Sequence, residues 1–217
     1  MSALAIERPV YRFDWRAEKW SEEACDFARR QAAKLGITHA LGHVKEIKPG
    51  LIVPQLVVLK DAVPSAVLRA LVGEPEETVE INGNLLVNEG IQRLMDMTMI
   101  ATLTGTGWNN ANAFLGVGDS STAEAATQTE LQAATNRFYK AMNATFPSRS
   151  SQTSTFQSDF TTSEANYAWA EWSVSSGATT ASGSGFTTGT TNLNRKVASL
   201  GTKATGTWTL SGQLTLS

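Results

Sequence analysis

The last eleven residues of the chain, TWTLSGQLTLS, alternate between apolar and polar side chains, and this pattern limits the fold more than any other feature. Successive side chains of a β-strand point to opposite faces. One face of an extended strand here would carry Trp208, Leu210, Gly212, Leu214 and Leu216. The other face would carry only threonine, serine and glutamine. The segment therefore predicts a half-buried antiparallel strand with one face in a core.

Similar alternation recurs upstream, in RFYKAMNATF, STFQSDF, ANYAWAEWSVS and NLNRKVASLGT. Serine and threonine make up about two fifths of the last 70 residues, and most charged residues lie before residue 101. Six or so short strands with turn-rich spacers predict an antiparallel β-sandwich, jelly-roll-like in kind. In ANYAWAEWSVS both strand faces carry a tryptophan. One face is therefore expected to be covered by another subunit or by the N-terminal half.

The N-terminal part reads as helices and extended segments. SEEACDFARRQAAKLG has a serine N-cap, an acidic first turn and a glycine at its end, and predicts a helix with Phe27 and Leu35 on its apolar face. Prolines punctuate IKPGLIVPQLVVLKDAVP, which predicts edge or crossover strands, and PSAVLRALVG predicts a short helix. NLLVNEGIQRLMDMTMIATLTG predicts the main helix, with its methionine stripe packed on the sheet rather than forming a binding groove.

These patterns predict an α+β chain that is mainly β. Residues 1–81 would form an N-terminal arm and helical docking region, helical and extended in structure. Residues 82–217 would form a helix plus an antiparallel β-sandwich domain.

The segment ERPVYRFDWRAEKW mixes aromatic residues with arginines. A short extended segment cannot bury several aromatic rings by itself, so an arm docked on a neighbouring subunit is one interpretation. The candidate subunit-contact residues are Tyr11, Phe13, Trp15 and Trp20. The alternative is that these rings cover the protein's own core.

Composition restricts the classes of partner. A formal net charge of -2 offers no basic footprint, so neither nucleic acid nor a membrane is expected as a partner. No run approaches the roughly 20 apolar residues of a membrane span, and the N-terminal residues lack the pattern of a secretory signal. The single cysteine, Cys25, suits synthesis in a reducing cytoplasm. His39 and His43 have the spacing of two ligands on one helix face, but no glutamate lies between them, and we predict no metal site.

The segment NAFLGVGDSSTAEAATQTELQAATN resembles a phosphate-binding turn, because glycines follow an apolar run and precede hydroxyl side chains. It lacks the chemistry, because a carboxylate, Asp119, follows the second glycine where a phosphate loop needs lysine and a hydroxyl. The glycine spacing of a dinucleotide site is also absent. The segment instead predicts a strand, a polar turn and then a short helical turn, since Ser121 and Glu124 have capping-box spacing. No cofactor is expected.

Catalytic patterns are weak. No histidine follows His43, there is no GxSxG elbow, and the carboxylates Asp159, Glu164 and Glu171 do not form an evident pair. We therefore expect no catalytic residues and no enzyme. Carbohydrate recognition is the functional alternative. The candidate surface aromatics for it are Trp108, Tyr167 and Trp169, with Trp172 and the asparagines 109, 110 and 112 beside them. The competing interpretation places the aromatic rings in the sandwich core.

Five segments in order carry a family resemblance: NLLVNEGI, WNNANAFLGVGDSSTAEAATQTELQ, YKAMNATFP, SEANYAWAEWSVSSG and NLNRKVASLGTKATGTWTLSGQLTLS. Over about residues 82–217 the chain resembles tailed-phage virion structural proteins, a group of head decoration, fibre and tail-associated β-domains. The most specific parts are NANAFLGVGDSST and NLNRKVASLGTK. The resemblance does not extend to the first 80 residues, and it implies no catalytic residues.

The resemblance implies a non-enzymatic component of a tailed-phage particle. A capsid decoration or cement protein, or a head-surface protein, is the first expectation. A tail, baseplate or fibre component, or a carbohydrate-binding host-recognition module, is the alternative. The expected partners are copies of itself, as a trimer or higher homo-oligomer, and other virion proteins such as the major capsid protein. A glycan remains open as a partner. The expected location is the virion, after synthesis in the host cytoplasm.

Overall fold

The computed structural model describes residues 11–48, 51–100, 107–177, 181–182 and 191–216; within these ranges, side chains are described except at 43–48, 51–55, 100 and 181–182. The described helices are α1 (Glu22–Lys34), α2 (Ser65–Leu71) and α3 (Asn88–Met95), the last continuing as a π-helix over Asp96–Ile100. The described strands are β1 (Tyr11–Trp20), β2 (His39–Lys48), β3 (Leu51–Val58), β4 (Glu77–Asn82), β5 (Leu85–Leu86), β6 (Ala113–Gly118), β7 (Arg137–Ala141), β8 (Ser148–Ser150), β9 (Thr153–Phe160), β10 (Ala168–Ser176), β11 (Ala181–Ser182), β12 (Thr191–Asn192), β13 (Asn194–Thr202) and β14 (Thr207–Leu216). The chain is mainly β, as predicted.

Within the described residues the strands form two large antiparallel sheets and one separate hairpin. The five-stranded sheet has the order β4-β1-β14-β9-β8. The seven-stranded sheet has the order β11-β7-β6-β10-β13-β5, with β12 also paired to β10. The hairpin is β2 paired with β3. The predicted C-terminal strand is confirmed as β14, which pairs with β1 over its whole length.

The described strands pair across the predicted boundary between residues 81 and 82. β1 and β4, from the first 82 residues, lie in one sheet with β8, β9 and β14. Tyr11 pairs with Leu216 and Trp20 with Thr207, so the first described strand is hydrogen-bonded along the last one. The segment that the sequence suggested as a docking arm is therefore a strand inside the sheet. Residues 1–10, the rest of that predicted arm, lie outside the described residues.

A shared aromatic core lies where the inner faces of the two sheets meet. The ring of Trp15 on β1 meets that of Trp172 on β10 edge-on, with centroids 6.0 Å apart. Trp169 meets Phe160 of β9 at 4.8 Å and Trp208 of β14 at 4.9 Å, again at steep angles. Aromatic pairs prefer this geometry, and truncating one such buried ring to alanine typically costs about 3–5 kcal/mol.

Both tryptophans of β10 reach this core, and the strand pairing beside them is irregular. Trp169 and Trp172 are an odd number of residues apart, so a regular strand would place them on opposite faces. The register of β10 against β13 shifts between Trp169 and Glu171, where Trp169 pairs with Gly201 and Glu171 with Val197. Such an irregularity re-aims side chains locally. Of the two alternatives expected for covering one of these tryptophans, the N-terminal half is found, because Trp15 of β1 packs against Trp172.

Helix α1 is confirmed with its predicted N-cap, since Ser21 Oγ accepts a hydrogen bond from the Ala24 amide at 3.2 Å. Its predicted apolar face is only partly right. The buried residues are small: Ala24, Cys25, Ala28 and Ala32. Phe27 and Leu35 are exposed instead, because small side chains let the helix approach its neighbours closely and leave the larger ones outside. Cys25 and Ala28 join a second cluster with Trp20, Val63 and Leu68.

Helix α3 is shorter and less buried than predicted. It begins after a non-capping Val87 rather than at Asn84, and its only buried residue is Gly90. A side chain at position 90 would meet the backbone oxygens of Asn192 and Leu193, so glycine is required by close packing on the neighbouring strand segment. The predicted packing of the methionine stripe on the sheet is wrong for Met95 and Met99, which are exposed, whereas Leu94 packs against the core. The predicted end of this helix, at Gly105, lies outside the described residues.

Candidate functional surfaces

The predicted subunit-contact residues fall mainly in the chain's own interior. Phe13, Trp15 and Trp20 are 1%, 2% and 1% exposed. Phe13 stacks on Trp15 with centroids 4.9 Å apart, whereas Trp20 belongs to the cluster beneath α1 and α2. The alternative, that the rings cover the protein's own core, is confirmed for Phe13 and Trp15. Tyr11 alone of the four is exposed.

The predicted surface aromatics do not come together as a stacking platform. Trp169 is fully buried, and its indole nitrogen donates to the Ala165 carbonyl at 2.9 Å, so its assignment to the surface is wrong. Trp172 is also fully buried. Tyr167 is half-buried and donates to the Val117 carbonyl at 3.2 Å, and burial raises the pKa of its phenol. Trp108 is half-buried against the aromatic core.

The asparagines suggested for sugar binding stabilise loops instead. Asn109 Oδ1 accepts from both the backbone and the side-chain amide of Asn112, at 3.1 and 3.0 Å. Asn110 donates to the backbone carbonyls of Asn143 and Phe146. Asn109 and Asn112 are therefore engaged with each other in the turn that precedes β6, and Asn110 Nδ2 is engaged with the connection between β7 and β8.

The segment resembling a phosphate turn covers the outer face of the seven-stranded sheet. We call residues 119–136 the covering loop. The predicted strand before it is confirmed as β6, but no helical turn follows. Glu124 does not close a capping box, because its Oε1 accepts from the Val197 amide of β13 at 2.6 Å.

A buried ion pair holds this loop in place. Glu171 and Arg195 are 0% and 1% exposed, and their side chains meet at 2.7 Å. Glu171 also accepts from the amides of Gln132 and Ala133, at 3.0 and 2.7 Å. Arg195 donates to Gln128 Oε1 at 2.8 Å and to two carbonyls of the same loop. Because each charged atom has several partners, the pair is compatible with full burial.

The glycines of GVG serve this close packing. A side chain at position 116 would meet the ring of Tyr139 at 2.6 Å, and one at position 118 would meet Glu171 Oε1 at 2.6 Å. The phenol of Tyr139 is buried, which raises its pKa to about 12, and it accepts from the Leu131 amide of the covering loop. The two glycines therefore make room for the loop rather than for a phosphate.

The remaining candidate carboxylates are also engaged. Asp159 is 6% exposed and accepts from the Ser65 amide at 2.7 Å and the Thr209 hydroxyl at 2.8 Å. Glu164 pairs with Lys140 at 2.6 Å. Within the part of the chain that is described, no group of three or more histidine, cysteine or acidic side chains could hold a metal ion. His39 and His43 lie on strand β2, so the helical spacing considered for them does not exist.

Two surfaces expose large apolar side chains. The hairpin surface consists of Leu41, Leu56 and Val58, where Leu41 lies directly opposite Leu56, with exposed fractions of 48%, 63% and 40%. The methionine surface consists of Met95 and Met99, which are one helical turn apart and are exposed by 48% and 78%. Monomeric proteins rarely expose apolar residues in groups, and such groups commonly mark contact sites.

None of the helices in the described part of the chain is both long and apolar enough to cross a bilayer. Comparison of the chain with protein-family models, curated proteins and solved structures gives no match.

Proposed function

We propose that this chain is a non-enzymatic structural component of a tailed-phage particle, acting as a capsid decoration or cement protein at the head surface. The observation that carries the proposal is the pair of exposed apolar surfaces, on the hairpin and at the end of α3. The sequence resemblance over residues 82–217 is the reason for proposing a tailed-phage particle. A position in the tail, baseplate or fibre is the alternative within the same role.

The proposed mechanism is stabilisation by surface burial. Removing apolar area from water contributes about 25 cal/mol per Å². Leu56 and Met99 retain most of their surface in the isolated chain. A neighbouring subunit that covers them therefore adds this hydrophobic stabilisation, and the sheets, which are already folded, lose little conformational entropy. Methionine side chains adapt to irregular partners, which suits contact with a different virion protein. The hairpin suits contact with another copy of the chain.

We infer that the two sheets form an antiparallel β-sandwich, supported by the rings of Trp15, Phe160 and Trp208 on one sheet meeting those of Trp169 and Trp172 on the other. The jelly-roll-like arrangement stays a prediction. A rigid sandwich would present the hairpin and α3 in fixed positions, as an assembly subunit requires.

Self-association tests the hairpin surface. We expect the purified full chain to sediment as a trimer or higher oligomer, and the double variant Leu41→Ser/Leu56→Ser to shift toward monomer. Val72→Ser is the matched control, since Val72 is an exposed apolar residue at the end of α2, outside both surfaces. Analytical ultracentrifugation over a range of concentrations gives the result. A wild-type chain that remains monomeric would contradict a role for the hairpin in self-assembly.

Localisation tests the proposed particle. Electron microscopy of purified virions with an antibody against the chain should label the head at regular positions. Label on the tail would favour the alternative location. A chain missing from purified particles would overturn the proposal as a whole.

A further inference from the structure

The outer face of the five-stranded sheet carries a polar cleft that the assembly role does not use. The cleft has a volume of about 380 Å³, and side chains from β1, β4, β9 and β14 line it. Phe146, in the connection between β7 and β8, contributes an apolar surface to its wall. This volume lies in the range of ligand pockets, roughly 300–1,000 Å³.

Strand pairing sets the polar groups of the floor in two rows. Asp14 on β1 lies opposite Gln213 on β14, and Gln213 lies opposite Thr155 on β9. In the next row on the same face, Arg16 lies opposite Ser211, and Ser211 opposite Gln157. Neighbouring strands are about 4.8 Å apart. Hydrogen-bonding groups therefore recur at regular spacing across the sheet.

Several of these side chains are fixed before any ligand arrives. Gln157 accepts from Asn143 Nδ2 at 3.1 Å and donates to Ser211 Oγ at 3.1 Å. Arg12 Nε meets Asp14 Oδ2 at 2.6 Å, and Arg16 Nε meets Glu18 Oε1 at 3.0 Å. Fixed polar groups lower the ordering cost of binding.

One carboxylate oxygen of Asp14 lacks a hydrogen-bond donor within the described residues. Its Oδ1 is shielded from solvent and accepts no hydrogen bond from the described residues. A shielded oxygen without a donor is unfavourable. The Asp14 side chain lines the cleft and is 27% exposed.

The charges of the cleft nearly balance, which decides the class of ligand. Two arginines, Arg12 and Arg16, face three carboxylates, Asp14, Glu18 and Glu80. Phosphate, sulfate or nucleic acid would need an excess of positive charge. A ligand whose groups both donate and accept suits the amides and hydroxyls of the floor, and an aromatic ring beside them suits an apolar sugar face.

We propose that this cleft binds an uncharged oligosaccharide. Gln157, Ser211 and Gln213 hydrogen-bond its hydroxyls, Asp14 accepts from one of them, and Phe146 packs against a sugar ring. The site differs from the aromatic platform that the sequence suggested, because Trp169 is buried and the asparagines of the 109–112 turn are engaged elsewhere. The proposal does not depend on the particle role, and its test needs only the purified full chain.

The test uses maltohexaose, cellohexaose and mannohexaose as neutral probes and a sulfated heparin hexasaccharide as the charged probe. Saturation-transfer difference NMR should show contact with at least one neutral probe, and a titration gives its dissociation constant. The double variant Gln157→Ala/Gln213→Ala should weaken that binding at least tenfold. Gln152→Ala, an exposed glutamine outside the cleft lining, should leave it unchanged.

A second variant tests whether weaker binding reflects the loss of a hydrogen bond to the ligand and not a disturbance of the sheet. Gln213→Glu keeps the size of the side chain, leaves the Asn143–Gln157–Ser211 chain intact and removes a donor, and it should weaken binding several-fold. The proposal is overturned if no neutral probe binds. It is also overturned if only the sulfated probe binds, or if both cleft variants bind as tightly as the wild-type chain.

Discussion

The outer faces of the two sheets carry similar polar residues with opposite surroundings. On the seven-stranded sheet the outer face is dry, because the covering loop lies on it and Glu171 and Arg195 are buried beneath the loop. On the five-stranded sheet the outer face is covered at one end by α1 and α2, around Trp20, Cys25 and Leu68. At the other end it opens as the polar cleft around Asp14 and Gln213.

The difference shows that a polar residue at an outward-facing strand position can have either of two structural roles. Asp14 is polar because it faces a cleft that solvent enters. Glu171 is polar because its carboxylate organises a loop that has no regular hydrogen bonding of its own. In the sequence both are acidic residues in a period-two pattern. The two roles can be distinguished only from the residues that the fold places beside each carboxylate.

The largest expected effect comes from removing one charge of the buried pair. Glu171→Gln keeps the side-chain size but leaves Arg195 charged and buried without its partner, so we expect the free energy of unfolding to fall by about 3–5 kcal/mol. Urea denaturation followed by tryptophan fluorescence measures this change.

Asp14→Asn is the matched control on the open face and should have a far smaller effect, since its partner Arg12 is 67% exposed. The double variant Glu171→Leu/Arg195→Met should recover part of the loss, because no unpaired charge remains. Equal destabilisation by Glu171→Gln and Asp14→Asn would refute the contrast between the two faces.

A smaller effect is expected from filling the space under the loop. In Gly118→Ala the new methyl group would lie 2.6 Å from Glu171 Oε1 and 3.0 Å from the Ala133 side chain. Overpacking of this kind typically costs about 1–3 kcal/mol. Thermal unfolding should show the loss, and amide exchange should become faster at Gln132 and Ala133 in particular. Unchanged exchange there would mean that the loop does not depend on the glycine.

Lys203, where the two sheets join, provides a pH-dependent comparison. It is 1% exposed and donates to the Thr161 carbonyl and to Asn166 Oδ1, both at 2.7 Å. Burial lowers the pKa of its amine from 10.5 to about 8. Between these values the unfolded chain holds the proton more tightly than the folded chain, so stability rises with pH.

The free energy of unfolding of the wild-type chain minus that of Lys203→Met should therefore increase by about 1 kcal/mol from pH 8 to pH 9. Subtracting the variant removes the titration of the other lysines and of the tyrosines. Urea denaturation at pH 7, 8, 9 and 10 gives the profile. A difference that stays flat, or that shrinks as pH rises, would contradict the lowered pKa.

The sequence predicted the elements whose pattern is local. β14, β6 and α1 were identified because alternation, capping and one buried face act over a few neighbouring residues. The mainly β, antiparallel character followed from the same signals. The pairing of β1 with β14 could not be predicted in this way, since it joins the two ends of the chain and leaves no local mark.

The surfaces were predicted less well for a similar reason. Trp169 and Trp172 both lie in the core although they are three residues apart, next to an irregularity in the β10–β13 pairing, and a strict period of two does not predict this. The methionine stripe of α3 has the spacing of a core helix, yet only Gly90 is buried. The polar cleft combines Asp14, Gln213 and Gln157 from three strands that are distant in sequence, so no single segment indicates it.

The smallest expected effect concerns the floor of the cleft. Gln213 is exposed, so Gln213→Ala should change the free energy of unfolding by no more than about 0.5 kcal/mol. Its unfolding midpoint should also depend on protein concentration to the same extent as that of the wild-type chain, because the cleft is not one of the surfaces proposed for self-association. If the variant instead loses stability more steeply on dilution, another copy of the chain covers this face. The contrast between a covered and an open sheet would then hold only for the isolated subunit.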